Sequence, residues 1–152
     1  MYACPRCQNA LSEVQLFGVD VLRCPKECGL IVEQKAMIPL TTAIAKDSLD
    51  CIDPHLPIEP APHDPSQKAT CPGCQGLMQT FGYLESRFAY LDRCSSCAVV
   101  WIDHDELETV VRLNARNMGQ QAKHHADRKE LSRHLSAIIW ISEDQTVMPN
   151  RL

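Results

Sequence analysis

The sequence of 152 residues has few aromatic side chains and no long apolar run. Aromatic residues make up 5% of the chain, so a single large aromatic core is not expected. An apolar stretch such as residues 137–141 is far shorter than the ~18–20 residues that cross a bilayer. The first residues contain neither a basic region nor an apolar stretch, and therefore do not resemble an export signal. These absences predict a soluble, cytoplasmic protein.

The chain also lacks an excess of basic residues, since its formal net charge is −4. Binding to nucleic acid relies on Lys and Arg side chains that neutralise phosphates, so the overall composition weighs against it. One segment differs: residues 109–134 contain six bases and two acids. These six bases are the candidate nucleic-acid contacts: Arg112, Arg116, Lys123, Arg128, Lys129 and Arg133.

Cysteine, by contrast, is abundant: there are nine, and eight of them form close pairs. The first and third pairs read Cys-Pro-x-Cys and are followed by Gln, so the sequence contains one unit twice, displaced by about seventy residues. An odd cysteine count without an export signal fits a disulfide framework poorly. The pairs are Cys4/Cys7, Cys24/Cys28, Cys71/Cys74 and Cys94/Cys97.

Two such pairs about 15–20 residues apart can supply the four sulfurs of a tetrahedral metal site. The spacing therefore predicts two structural Zn²⁺ ions, one per unit, and would lower the net charge to about −8. Because four thiolates close the coordination shell, no position is left for a reacting water. Iron at the same thiolates and a redox-active Cys-Pro-x-Cys are the alternatives. Cys51 remains as a free thiol or, with His55, half of a third site.

The cysteine pairs and prolines divide the chain into four segments. A first zinc-binding unit covers 1–38, and a second unit with its trailing helix covers 71–118. Six prolines between 39 and 70 predict a semi-stiff linker, although 41–52 could hold a short helix or strand. Residues 119–152 are predicted to form an amphipathic helix and tail. The predicted fold class is a small α+β zinc-stabilised protein: two β-ribbon units joined by the linker, with a C-terminal helical segment.

Helices are predicted over 104–117 and 121–141, either separate or continuous. Asp103 can cap the first of them, with Glu106 completing a capping box. His104, His124 and His125 are interpreted as solvated helix residues rather than ligands. The second helix has an apolar stripe that could pack against a protein partner, a second copy of the chain or the ribbons: Leu131, Leu135, Ile138 and Ile139.

The second unit reads Cys-Pro-Gly-Cys, then Asp-Arg-Cys-Ser-Ser-Cys over 92–97, then Trp-Ile-Asp-His-Asp-Glu-Leu over 101–107. It resembles the bacterial transcription-factor-IIB-type zinc ribbon family across about 71–112, with Ala98-Val99 where the family has two glycines. The first unit resembles a degenerate copy, with Leu22 for the family's Asp and Val32 for its Trp. The resemblance implies a zinc-stabilised β-ribbon. Trp101 is interpreted as packing the helix onto the ribbon, and the alternative is an aromatic residue that recognises a partner.

These observations predict a non-catalytic zinc-binding interaction module that acts as a regulatory adaptor through protein contacts. Neither a nucleophile–base pair nor an open metal is evident, so the chain is not expected to be an enzyme. The alternative is a transcription-related regulator that binds nucleic acid through the basic segment. One extra residue in Cys24-Pro-Lys-Glu-Cys28 suggests a looser turn. If the surroundings of the ligands decide affinity, the first site should release its metal more readily.

Overall fold

The computed structural model describes residues 2–53, 56–60, 66, 68–117 and 128–141, with only the backbone of residue 128. This part of the chain is a small α+β protein that contains a six-stranded antiparallel sheet. We name residues 2–47 the first unit and residues 68–117 the second unit. The strands are β1 Ser12–Leu16, β2 Val19–Arg23, β3 Gly29–Glu33, β4 Gln79–Gly82, β5 Tyr90–Cys94 and β6 Val99–Asp103.

Each unit contributes three strands, and the two sets meet edge to edge in the order β1-β2-β3-β6-β5-β4. The β2–β3 hairpin places Leu22 opposite Ile31, and the β5–β6 hairpin places Asp92 opposite Trp101. The register is the same in both hairpins, displaced by 70 residues. Strands β3 and β6 then pair antiparallel, with Ile31 opposite Trp101. The two units therefore share one sheet instead of being separated by a tether.

The outer hairpins differ in their turns. Strands β1 and β2 are joined by Phe17 and Gly18, both at positive φ (51° and 79°), as expected for a two-residue turn that matches strand twist. Strands β4 and β5 are joined by a longer loop, with the amide of Tyr83 donating to the carbonyl of Ala89. This longer loop accounts for the unequal spacing of the cysteine pairs in the two units.

A helix follows the last strand of each unit: α1 is Gln34–Asp47 and α2 is His104–Asn117. The prediction of a helix over 104–117 is confirmed. A short helix or strand over 41–52 was left open; the structure has helix α1, which begins earlier, at Gln34, and overlaps the predicted linker from residue 39. Pro39 lies inside α1, where it removes one amide donor but does not end the helix. The buried face of α1 compensates: Met37, Leu40, Thr41, Ile44 and Ala45.

The third helix, α3 (Arg128–Leu135), continues as a π-helical turn over Ser136–Ile141. Its side chains Leu131, Leu135 and Ile139 are at most 4% exposed and pack into the chain's own core. Three packing partners were considered for this stripe, and in the structure the stripe packs against the third of them, the ribbons of the same chain. The guanidinium of Arg23 donates to the carbonyl of Ile139 and fixes the end of α3 on the sheet. Residues 121–127 of the predicted second helix lie outside the described part.

The sheet has two different faces, because side chains alternate along each strand. All three helices cover one face, where Leu30, Val32, Val100 and Ile102 meet the helix residues. The opposite face holds a smaller cluster that contains cysteines of both units together with Trp101. Trp101 therefore packs on the cysteine side, and the expectation that it joins the helix to the ribbon is wrong.

Candidate metal centres

Eight cysteines form two clusters, and in each cluster the four sulfurs lie within 4.8 Å of one another. The sulfurs of Cys7 and Cys24 are 3.6 Å apart, and those of Cys74 and Cys94 are 3.5 Å apart. A tetrahedral ion with Zn–S of ~2.3 Å would separate its sulfurs by about 3.8 Å. Each cluster could hold one metal ion. The two sets are the ones predicted from the spacing: Cys4, Cys7, Cys24 and Cys28 in the first, and Cys71, Cys74, Cys94 and Cys97 in the second.

Two turns build each site, and backbone amides point at their sulfurs. The knuckles at 4–7 and 71–74 are closed by isolated bridges, between Ala3 and Ala10 and between Thr70 and Leu77. In each knuckle the amide two residues after the first cysteine donates to its sulfur at 3.3 Å. Donors of this kind disperse thiolate charge, so the turns favour the ionised form that metals bind.

The β2–β3 and β5–β6 turns carry the second pair of each site. Because their strand registers match, the turn that contains Cys28 is no longer than the turn that contains Cys97. Cys28 is placed one residue later in a turn of the same length, at the position of Ala98, and the residue at positive φ is Glu27 in the first turn and Ala98 in the second. The extra residue between the cysteines therefore does not lengthen the turn.

Ala98 is in the left-handed region, with φ of 56°. A non-glycine residue there costs ~1 kcal/mol, which glycine avoids. We expect Ala98→Gly to raise the free energy of unfolding by about 0.5–1 kcal/mol, measured by denaturant titration of the metal-loaded protein. Ser96→Gly, in the same turn but without a positive φ, is the control and should not stabilise. A destabilised Ala98→Gly variant would contradict the strain argument.

The thiols of each cluster resist ionising together. The side-chain and backbone groups of Asn9 lower the pKa of Cys7 to about 6, and the amide of Cys97 lowers that of Cys94 to about 7. The Cys97 thiol donates hydrogen bonds to the sulfurs of Cys71 and Cys74, which favours its neutral form and raises the pKa of Cys97 to about 12. In each cluster one thiolate forms readily, whereas burial raises the pKa of the first cysteine, Cys4 or Cys71. A divalent cation overcomes this resistance to ionisation, because it binds all four cysteines as thiolates.

The two clusters differ in how far their cysteines are shielded from solvent. Cys74 is exposed, whereas its counterpart Cys7 is half-buried and accepts a hydrogen bond from Asn9 Nδ2 at 3.1 Å. We therefore expect a chelator combined with N-ethylmaleimide to modify Cys74 before Cys7, the reverse of the order expected from sequence. Peptide mass spectrometry of timed samples measures the order. Earlier modification of Cys7 would show that exposure does not control release.

Trp101 lies between the two clusters and is fully buried. It shares its cluster with Cys4 and Cys24 of one site and with Cys71 and Cys94 of the other. Gly29 makes room for the ring, because a Cβ on residue 29 would lie 2.6 Å from a ring carbon. The indole N–H donates to Asp103 Oδ1 at 2.9 Å, so the buried ring has its polar group satisfied.

Arg6 crosses from the first knuckle to the second unit, which sequence reasoning missed. Its Nε and one terminal nitrogen donate to the two carboxylate oxygens of Asp103 at 2.8 and 2.7 Å. The same nitrogen reaches Asp92 at 3.3 Å. No local pattern signals such a contact, since the partners are 97 and 86 residues away.

Glu106 also departs from prediction. Its carboxylate accepts a hydrogen bond from the backbone N–H of Tyr90, while that of Asp103 serves Arg6 and Trp101. The carboxylates of Asp103 and Glu106 therefore both accept hydrogen bonds from groups outside the predicted capping box. Burial raises the pKa of Glu106 to about 7, and the nearby carboxylates add to this shift.

The raised pKa of Glu106 makes stability depend on pH. The folded state holds the proton more tightly than the unfolded state, so this contribution falls as pH rises from about 4.5 to about 7. We expect Glu106→Gln to be more stable than wild type by about 1 kcal/mol at pH 8 and to gain less below pH 6. Glu108→Gln, which removes the same charge from α2, is the control. An equal difference from wild type at both pH values would contradict the assignment.

The candidate nucleic-acid contacts do not form one basic surface in the described residues. Arg112 is 9% exposed, and its guanidinium donates to the carbonyl of Leu56 at 2.9 Å. Arg116, Lys129 and Arg133 are exposed. Lys123 and the side chain of Arg128 lie outside the described part. Arg112 as placed is thus not available to a phosphate.

The remaining metal candidates lie apart from both clusters. Cys51 is half-buried in a 3₁₀ turn (Leu49–Cys51), and burial together with acidic neighbours raises its pKa. His104 stacks on Trp140 with ring centroids 5.1 Å apart. Among the described residues, neither joins a group of metal ligands. His55, His124 and His125 lie outside the described residues, so the Cys51–His55 half-site stays a prediction.

None of the helices in the described part of the chain combines the length and apolar character needed to span a membrane. Comparison with protein-family models, with curated proteins and with solved structures finds no match to this chain.

Proposed function

We propose that this protein is a non-catalytic zinc-binding module in which two Zn²⁺ ions stabilise one shared sheet. The observation that carries the proposal is the meeting of four sulfurs, within 4.8 Å of one another, at two separate places. Four thiolates saturate a tetrahedral ion and leave no position for substrate or water, so each site is structural and the protein is not an enzyme.

The two units are copies of one zinc-ribbon unit, and the second resembles the bacterial transcription-factor-IIB-type family. Support comes from the matched registers of the inner hairpins and from the equivalent knuckles. In the second unit the signature residues Asp92, Trp101 and Asp103 surround the metal-binding face. They serve the site itself and are not a recognition surface.

Elemental analysis of the purified protein tests the metal. The proposal expects close to two zinc per chain and no visible absorption. Iron at four thiolates would absorb strongly in the visible region and would replace zinc in the assignment. Protein without either metal that keeps its near-ultraviolet circular dichroism would refute the structural role.

We further propose that the module acts as a regulatory adaptor through protein contacts. The apolar stripe of α3 is used internally, so exposed apolar side chains elsewhere are the better candidates. Leu77, 73% exposed, follows the second knuckle. Leu77→Asp should abolish capture of specific partners from cells that express the protein, and Leu84→Asp serves as the matched control. Unchanged capture by the Leu77 variant would exclude this surface.

Nucleic-acid binding is the second candidate, supported by the exposed Arg116 and Lys129 but weakened by the burial of Arg112. A salt titration decides it, since phosphate contacts make affinity fall steeply with salt. Binding at ~50 mM salt that is lost at higher salt, and reduced by Arg116→Gln, would favour this function. No binding at low salt would remove it.

A further inference from the structure

Arg6 belongs to the first knuckle, but among the described residues its side chain bonds only to the second unit. Both carboxylate oxygens of Asp103 accept from it at 2.8 and 2.7 Å, a bidentate pair, and Asp92 accepts at 3.3 Å. The side chain of Arg6 is 34% exposed, that of Asp103 is 26% and that of Asp92 is 7%. The pairing is therefore well shielded from water at Asp92.

Asp92 needs such a cation because of its position. It lies two residues before the ligand Cys94 on β5, and alternate strand residues share a face. Thr80 donates to one of its oxygens at 2.6 Å, and Arg6 supplies the positive charge. An ion held by four thiolates carries a net charge of about −2. Without Arg6, a buried carboxylate would stand unpaired beside a dianionic site, which is costly.

The first unit does not need a cation to compensate a buried carboxylate. Leu22 occupies the register position of Asp92, and so no carboxylate adjoins the first site there. Gly73 occupies the knuckle position of Arg6, so the second knuckle carries no cation of its own. The acid and its compensating base are thus divided between the two units.

We propose that Arg6 is a positioning residue of the second metal site and couples its occupancy to that of the first. The inference rests on the proposed function, since it requires both sites to hold metal. The first ion closes the knuckle in which the amide of Arg6 donates to Cys4 Sγ at 3.3 Å. When that ion leaves, the knuckle loosens and Asp92 loses its cation. By linkage, the second ion strengthens the first site by the same factor.

Site-resolved metal release tests this coupling in the full chain. The zinc-loaded protein is mixed with a chelator and N-ethylmaleimide, and the labelling rate of each cysteine is read by peptide mass spectrometry. Arg6→Gln should speed labelling of Cys71 and Cys94 by about 5- to 30-fold, although residue 6 lies in the other unit's knuckle. Arg6→Lys, which keeps the charge without the bidentate geometry, should fall between Arg6→Gln and wild type.

Two controls separate coupling from general loosening. Lys26→Gln removes one positive charge from the other turn of the first site, where the side chain is exposed. It should leave the rates at Cys71 and Cys94 unchanged. Cys51 belongs to neither site and reports opening of the whole fold. Without chelator, when both ions stay bound, its labelling should stay at the wild-type rate in all variants.

Wild-type rates at Cys71 and Cys94 in Arg6→Gln would overturn the inference, as would an equal rise at Cys51 in the absence of chelator. If Arg6→Gln does not load two ions, Arg6→Lys carries the test against Lys26→Gln. The loading of wild type is measured first. Fewer than two ions there would refute the proposed function itself, whereas two ions without an Arg6 effect would refute only the coupling.

Discussion

Replacing Cys94 with serine is expected to unfold both units, not only the one that loses its ligand. Zinc bound by four cysteines contributes on the order of 10–16 kcal/mol, as much as the whole stability of a small domain. Strands β3 and β6 pair along their length, so losing β5 and β6 also exposes an edge of the first unit. Hydrogen exchange of the amides in β1–β3 measures the effect, and their protection should collapse.

Cys51→Ser is the matched control, since Cys51 lies in neither cluster. It should change the free energy of unfolding by less than about 1 kcal/mol. If Cys94→Ser leaves β1–β3 protected, the units fold independently and the shared sheet is not a cooperative element. If Cys51→Ser unfolds the chain as well, the free-thiol assignment is wrong.

Trp101→Ala is expected to cost ~3–5 kcal/mol and to weaken metal retention at both sites. The ring is fully buried on the sheet face that carries both clusters, opposite Ile31 on the neighbouring strand. Removing it leaves a cavity beside cysteines of each site and frees Asp103 from one of its donors. Denaturant titration gives the stability, and release of zinc to a chromogenic chelator gives the retention.

Trp140→Ala separates the loss of stability from the loss of metal retention. Trp140 is 8% exposed and packs on the helix side of the sheet, so its loss also costs stability. Because it does not adjoin the cysteines, the variant should keep wild-type zinc release under conditions where it stays folded. Equal acceleration of release in both variants would mean that retention follows global stability alone.

The ligands could be predicted from sequence because a metal site depends on local turns. Cysteine pairs at short spacing place two sulfurs on one turn, whatever the remainder of the chain does. Helix α2 could also be predicted from local sequence, since its acidic start and apolar spacing lie within residues 103–117. The beginning of α1, before residue 41, was missed because Pro39 and the absence of a capping side chain at Glu33 hide it.

Contacts between the units could not be predicted, because nothing local specifies them. The pairing of β3 with β6 joins residues about seventy positions apart, and many other strand edges were open to each. The bond from Arg6 to Asp103 follows from that pairing and from no sequence pattern. The apolar stripe of α3 was visible, but its packing partner depends on the same tertiary arrangement.

Native mass spectrometry of the purified chain tests the central claim most directly. The account predicts a dominant species that carries two zinc ions and loses both on denaturation in acid, when the eight ligand thiolates are protonated. A folded chain that carries one ion or none would contradict it.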